Sequence, residues 1–276
     1  MGDRPAWKNE YTLLCERCGY VIEGLPTAGA CPECSKPIQE SLPERREGSQ
    51  WQRDPRITRF HHAMCSTLRH PLQTLDEIRP FQKRDRRLSM LSMLAAGFLI
   101  SLVWWSPWVF LFDNEITLND RIIHFAIGCC FSLVSAIALA CLMWILTRVE
   151  TVGLGVIART RKFRIPASYR RTITAHGCAG WVLGSLLFIA SSGVANQTLG
   201  AFTPDVQTIT FTNGQSIQAQ PVAGAELPVW LRRVVWHSRW LGLLVGFMWF
   251  EIFAYLGVRR LKYVNTAKPN GEAESS

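Results

Sequence analysis

The sequence predicts an all-α membrane protein: a four-helix transmembrane bundle with a small N-terminal zinc ribbon and an external β-hairpin. Three observations carry this expectation. Four long apolar runs are separated by short charged stretches, two Cys-x-x-Cys pairs precede the first run, and the charge between runs alternates in sign and density.

The apolar runs cover 88–112, 122–146, 176–197 and 240–258. The first three contain no Asp, Glu, Lys or Arg, with His124 in the second and His176 at the start of the third, and the fourth is broken by Glu251 alone. Roughly 20 apolar residues cross a bilayer core as a helix, so each run is long enough. Burying all four in a soluble core would require far more polar chain than 276 residues leave. The first fourteen residues include Asp3, Arg4, Lys8 and Glu10 and have no apolar signal segment, so the first run is expected to act as an uncleaved anchor.

Charge sets the expected orientation. Residues 148–175 carry seven Lys/Arg against Glu150 alone, and 51–87 carry nine basic against four acidic side chains. Between the first two runs stand Asp113, Glu115 and Asp120 against Arg121. Excess Lys and Arg stays on the cytoplasmic side, which places both termini and the middle loop there, in the cell inner membrane. Trp104, Trp105, Trp108, Trp230, Trp236 and Trp240 then fall at the opposite interface, as an aromatic belt.

In chain order, 1–40 is expected to be a cytoplasmic ribbon and 41–56 a solvated linker. Cys15-Glu-Arg-Cys18 and Cys31-Pro-Glu-Cys34 each set two thiolates on one tight turn. Four sulfurs at these spacings suit one closed, structural tetrahedral Zn²⁺, and a reducing compartment favours metal over disulfides. Of the other cysteines, Cys65 falls on the cytoplasmic side, and Cys129, Cys130, Cys141 and Cys178, within or beside the runs, read as small packing residues. Residues 1–50 hold six basic and eight acidic side chains, which opposes a nucleic-acid partner and favours a cytoplasmic protein partner.

Residues 57–87 form a basic amphipathic juxtamembrane segment. Ile57, Phe60, Met64 and Leu68 repeat at helical spacing, Pro71 interrupts, and Leu72, Leu75 and Ile78 follow. With Lys83, Arg84, Arg86 and Arg87 alongside, this segment is expected to lie on the bilayer against anionic lipid head groups. The four-span domain occupies 88–258. Its external loop, 198–239, holds β-forming residues on both sides of Asn213-Gly214, a hairpin turn signal, and then a short interfacial helix. Gly180-x-x-x-Gly184 and Gly242-x-x-x-Gly246 are small-residue ridges suited to close helix packing. Residues 259–276 are expected to be a disordered cytoplasmic tail.

Glu251, at membrane depth, is a candidate ion or proton site with Glu150, or a buried group that fixes helix packing. That pair supports a small transporter or channel component as the alternative to a non-enzymatic interaction or organising protein. No His-Glu-x-x-His, Gly-x-Ser-x-Gly or phosphate-binding glycine loop occurs. An enzyme would need His61, His62, His176 and Glu150 to converge.

Residues 12–40, with Cys15-Glu-Arg-Cys18-Gly19-Tyr20, Leu25-Pro26 and Cys31-Pro-Glu-Cys34, resemble the rubredoxin-type zinc ribbons that begin many bacterial membrane proteins. Ser35 stands where those ribbons usually have glycine, which implies a looser second knuckle. Residues 68–200 are similar to the Yip family of multi-pass membrane proteins, in Leu68-Arg-His-Pro71-Leu-Gln-Thr-Leu-Asp-Glu-Ile78 and the basic stretch before Tyr169-Arg-Arg-Thr172. That likeness implies a membrane adaptor and carries over no catalytic residue.

Overall fold

The computed structural model describes residues 11–80, 82–105, 117–201, 208–210, 216–218, 228–238 and 240–266. Its described helices are α1 (Gln50–Arg53), α2 (Phe60–Arg69), α3 (Pro71–Glu77), α4 (Lys83–Trp105), α5 (Leu118–Thr160), α6 (Ala167–Gly177), α7 (Ala179–Ala201), α8 (Val229–Ser238) and α9 (Trp240–Arg260). Four of the helical stretches are long and apolar enough to cross a membrane: 83–103, 118–160, 167–194 and 229–260.

The long helices pack in the order α5, α4, α7, α9, so α5 stands at one side of the bundle. Small residues let them approach. A side-chain carbon on Gly180 would stand 2.5 Å from the Gly246 carbonyl oxygen, and one on Gly246 would overlap Gly184. The two glycine ridges expected from sequence therefore pack against each other. Gly97 plays the same part between α4 and α5, against the backbone of Ala136. The bundle core joins Met93, Ile100, Met143, Trp181, Phe188 and Phe250.

Helix α5 corrects the expected span of 122–146 followed by a basic loop. It runs 43 residues, about 64 Å at 1.5 Å per residue, roughly twice a bilayer core. Thr147, Leu154, Gly155 and Ala158 continue a buried stripe at helical spacing through the charged stretch, against α6. The helix ends in a Schellman turn: Phe163 N–H reaches Ala158 C=O at 2.8 Å, and Lys162 N–H reaches Arg159 C=O at 3.2 Å. Lys162 occupies the left-handed position at φ 54°, where glycine would have signalled the stop in the sequence. Ile123, Phe131, Leu133, Ile137 and Ile145 of α5 are half or more exposed, or close to it, forming a continuous apolar face.

Residues 41–56 are not a solvated linker. Trp51 is 1% exposed and donates its indole N–H to the Arg84 carbonyl at 2.7 Å. Arg46, Ser49 and Gln52 are buried with it. Gly48-Ser49-Gln50-Trp51-Gln52 closes a capping box, with Ser49 Oγ accepting from Gln52 N–H at 3.2 Å. The amphipathic segment is likewise turned onto protein. Ala63, Met64 and Thr67 of α2 and Leu75 with Ile78 are buried, whereas Ile57 and Leu72 are exposed. Met64 packs with Trp51, Leu88 and Ala179, so its apolar stripe meets the bundle and not lipid.

The tail is ordered through Thr266. Leu261, Val264 and Asn265 are each 1% exposed or less, which corrects the disordered tail as far as that residue. Residues 267–276 lie outside the described residues. Strands β1 (Thr208–Thr210) and β2 (Ser216–Gln218) pair antiparallel, with Ile209 opposite Ile217. The turn at Asn213-Gly214 lies outside the described residues, and three paired positions do not support an external hairpin.

Candidate metal centre and its seat on the bundle

The two knuckles are built alike. Cys15 C=O accepts from Gly19 N–H at 2.8 Å, and Cys31 C=O accepts from Ser35 N–H at 2.9 Å. Cys15 N–H reaches Tyr20 C=O, and Cys31 N–H reaches Lys36 C=O, both at 2.8 Å. Bridges Leu14–Val21 and Ala30–Pro37 close the two turns. Gly19 and Ser35 hold the same left-handed position, at φ 82° and 57°. The serine therefore keeps the knuckle geometry in a conformation that costs a non-glycine residue about 1 kcal/mol. Gly19 has a second constraint, since a side-chain carbon there would lie 2.9 Å from the Tyr263 ring.

The four thiols converge. Cys15 Sγ lies 3.4 Å from Cys34 Sγ, Cys18 Sγ lies 3.6 Å from Cys31 Sγ, and all four sulfurs fall within 4.8 Å of one another. A tetrahedral thiolate site with bonds of about 2.3 Å has edges of about 3.8 Å, within the range of separations that the four sulfurs show. Disulfides, near 2.05 Å, do not fit the same distances. Among the described residues this is the one group of three or more His, Cys, Asp or Glu side chains close enough to share an ion.

The thiols differ in their environments. Burial opposes ionisation of Cys15, but the N–H groups of Cys18 and Arg17 and the neighbouring thiols outweigh it and draw Cys15 down to about 7. Burial, reinforced by the surrounding sulfurs, pushes Cys18 up to about 12. Four adjacent thiolates are thus untenable alone, and a cation is what lets all four ionise.

The ribbon is locked to the end of the bundle. Asn265 copies a strand partner for Leu14: its Oδ1 accepts from Leu14 N–H at 2.9 Å, and its Nδ2 donates to Leu14 C=O at 2.7 Å. The same side chain donates to Ser41 C=O and accepts from Arg164 at 2.6 Å. Arg164 also donates to Thr12 C=O. Glu16 is buried beside Cys15 and takes two bonds from Arg46 Nη2, each 3.1 Å. Arg46 in turn donates to the carbonyls of Leu75 and Asp76 at the end of α3. Arg260 grips Asp76 at 2.7 and 2.8 Å from α9.

A second buried polar group lies behind this seam. His176 is 1% exposed, with Nδ1 3.0 Å from Thr172 C=O and Nε2 2.8 Å from Ser49 Oγ. A carbonyl only accepts, so Nδ1 carries a proton, and in the neutral ring Nε2 accepts from the Ser49 hydroxyl. Asp85, fully buried, accepts from Gln52 Nε2 at 3.0 Å and from Gln82 N–H at 2.8 Å. His176 is therefore a structural clasp between α6 and the N-terminus of α1. Sequence reading passed over Ser49, Gln52 and Asp85, although the Ser-x-x-Gln spacing was a visible capping signal.

The two carboxylates of the candidate ion or proton site face the same cleft. Glu150 and Glu251 line one cleft of about 820 Å³ between α5 and α9, with Arg161, Arg259, Leu154 and Tyr255. The convergence of His61, His62, His176 and Glu150 is not formed: His61 and His62 are exposed on α2, and both ring nitrogens of His176 are engaged by Thr172 and Ser49. Lys83, Arg84, Arg86 and Arg87 are exposed on the first turn of α4. Arg84 there bonds the Gln52 carbonyl at 2.5 Å, so it clamps α1 and is not free for lipid.

No family model, curated protein or solved structure matches this chain.

Proposed function

We propose that the protein is a non-enzymatic, multi-pass inner-membrane protein whose cytoplasmic ribbon holds one structural Zn²⁺ and docks a protein partner. The supporting observation is the seam between ribbon and bundle. There Arg17, Lys36, Glu40, Arg45, Asp76 and Arg260 line a groove of about 470 Å³ with charge of both signs on fixed backbone. A preorganised polar groove suits an extended segment of another protein, because little ordering entropy remains to be lost on binding. The metal gives the ribbon wall of that groove its shape. The excess of Lys and Arg on this side of the spans supports the cytoplasmic orientation.

The test is affinity capture from gently solubilised membranes with the native chain, a Cys31→Ser/Cys34→Ser variant, and an Arg17→Glu/Arg45→Glu variant that keeps the metal. A protein retained by the native chain and lost from both variants at equal insertion is the expected result. Retention unchanged in the charge-reversed variant sinks the docking role.

One observation favours a second reading, transport. Two carboxylates, Glu251 within the fourth apolar run and Glu150 just beyond the second, share the α5–α9 cleft, an arrangement suited to a proton or cation. On this reading Glu251→Gln, reconstituted in vesicles, abolishes an ion- or proton-dependent flux that the native chain supports. Equal flux in both, or none in either, leaves Glu251 a packing residue.

A further inference from the structure

A second cleft, separate from that of the acidic pair, opens at the ribbon end of the bundle between α4, α5 and α6. It measures about 480 Å³, and its charged lining consists of Arg86, Arg148 and Arg171, one from each helix, with no carboxylate. None of the three forms an ion pair with a described residue, although other arginines nearby do, such as Arg46 with Glu16 and Arg260 with Asp76. All three side chains are exposed, so water screens much of their mutual repulsion, and an anion seated in the cleft would relieve the rest.

The lining beyond the charges identifies what kind. Arg148 lies over the Trp144 ring, 5.1 Å from its centroid, which fixes the guanidinium at the cleft wall. Thr151 and Thr174 share a hydroxyl bond of 3.0 Å across α5 and α6 and bring oxygens to the same cleft. Those hydroxyl hydrogens are taken by each other and by the Thr147 and Arg170 carbonyls, so the donors left to an anion are the forked guanidiniums, whose geometry matches phosphate. On its membrane-facing side the cleft is edged by Met90 and Trp144, 47% and 49% exposed. An apolar lip beside a phosphate seat is superfluous for a free anion and complements an acyl chain.

We propose that this cleft is a binding site for one anionic phospholipid, its phosphate held by Arg86, Arg148 and Arg171 and its chains laid along Met90 and Trp144. The proposal rests on the membrane-protein reading but not on the ribbon's partner. It replaces the diffuse contact expected for the four basic residues of 83–87 with a built site in which Arg86 alone of them takes part.

The test uses the full chain purified in a neutral detergent and native mass spectrometry with added phosphatidylglycerol, phosphatidylcholine or inorganic phosphate. One phosphatidylglycerol per chain is expected, retained in clear preference to phosphatidylcholine. Arg148→Gln/Arg171→Gln is expected to weaken it by about 30-fold, while Arg159→Gln/Arg161→Gln, the same charge removed farther along α5, has little effect. Equal loss in both double variants reduces the effect to overall charge and overturns the site. Displacement of the lipid by phosphate at matched concentration overturns it as well. The lipid preference of the native chain is read without any substitution, so its absence is decisive even if a variant fails to fold.

Discussion

Removing the metal is expected to unfold residues 12–40 while the helices stay inserted. The ribbon's buried apolar set is small, with Cys15, Ile22, Cys31 and Ile38 at its centre. Such a core cannot offset the ordering entropy of about thirty residues, and a structural metal contributes on the order of 10 kcal/mol. Metal analysis should find one zinc per chain. A strong chelator, or Cys31→Ser/Cys34→Ser, should open the 12–40 segment to limited proteolysis while α4 to α9 remain resistant. A metal content near zero in freshly purified protein with an intact ribbon would refute the assignment. The pH dependence has a definite sign. Without a cation Cys15 ionises near 7 and Cys18 only near 12, so binding at neutral pH expels thiol protons. Ion-bound thiolates have depressed values, so their contribution is complete above the free-thiol range and is lost as the pH falls through those values. Zinc affinity therefore rises with pH through and above 7, which titration against a chelator of known affinity will measure.

Arg46→Ala is expected to be the most damaging single substitution outside the metal ligands. It leaves the Glu16 carboxylate, buried beside Cys15, with only Lys36 at 3.7 Å as counter-charge, and removes donors from the Leu75 and Asp76 carbonyls. Breaking one side of a buried pair typically costs about 3–5 kcal/mol, because the remaining charge keeps its desolvation penalty. Hydrogen exchange should show the ribbon released from α3 and the C-terminal segment with its zinc retained. The double variant Glu16→Leu/Arg46→Met should recover most of the loss, since two apolar groups leave no stranded charge. If Arg46→Ala leaves exchange in 12–40 and 261–266 unchanged, the ribbon is held by Asn265 and Arg164 alone.

Much of this architecture could be read in advance, and the misses have a common cause. The glycine ridges on α7 and α9 were legible because close helix approach needs small residues at a spacing of four. The stretch after Leu146 was misjudged because its charges suggested a loop, while the stripe of Thr147, Leu154 and Ala158 beneath them was helical. Arg46, Trp51 and Gln52 sit in a composition that looks solvated, and nothing local reveals that each meets a partner tens of residues away. Ser35 warned of a loose knuckle, yet the four-thiol framework holds it in the glycine conformation.

The ligand set of the ribbon and the presence of four membrane-length helices follow from the sequence alone, because both depend on local spacing: two turns of four residues, and apolar runs as long as a bilayer is thick. Where the ribbon sits, which basic residues are clasped, and that Arg86, Arg148 and Arg171 meet at one cleft while Glu150 and Glu251 meet at another were decided by the tertiary structure. Those pairings arise from side chains on different helices, and only the packing of small residues between helices brings them within reach of one another.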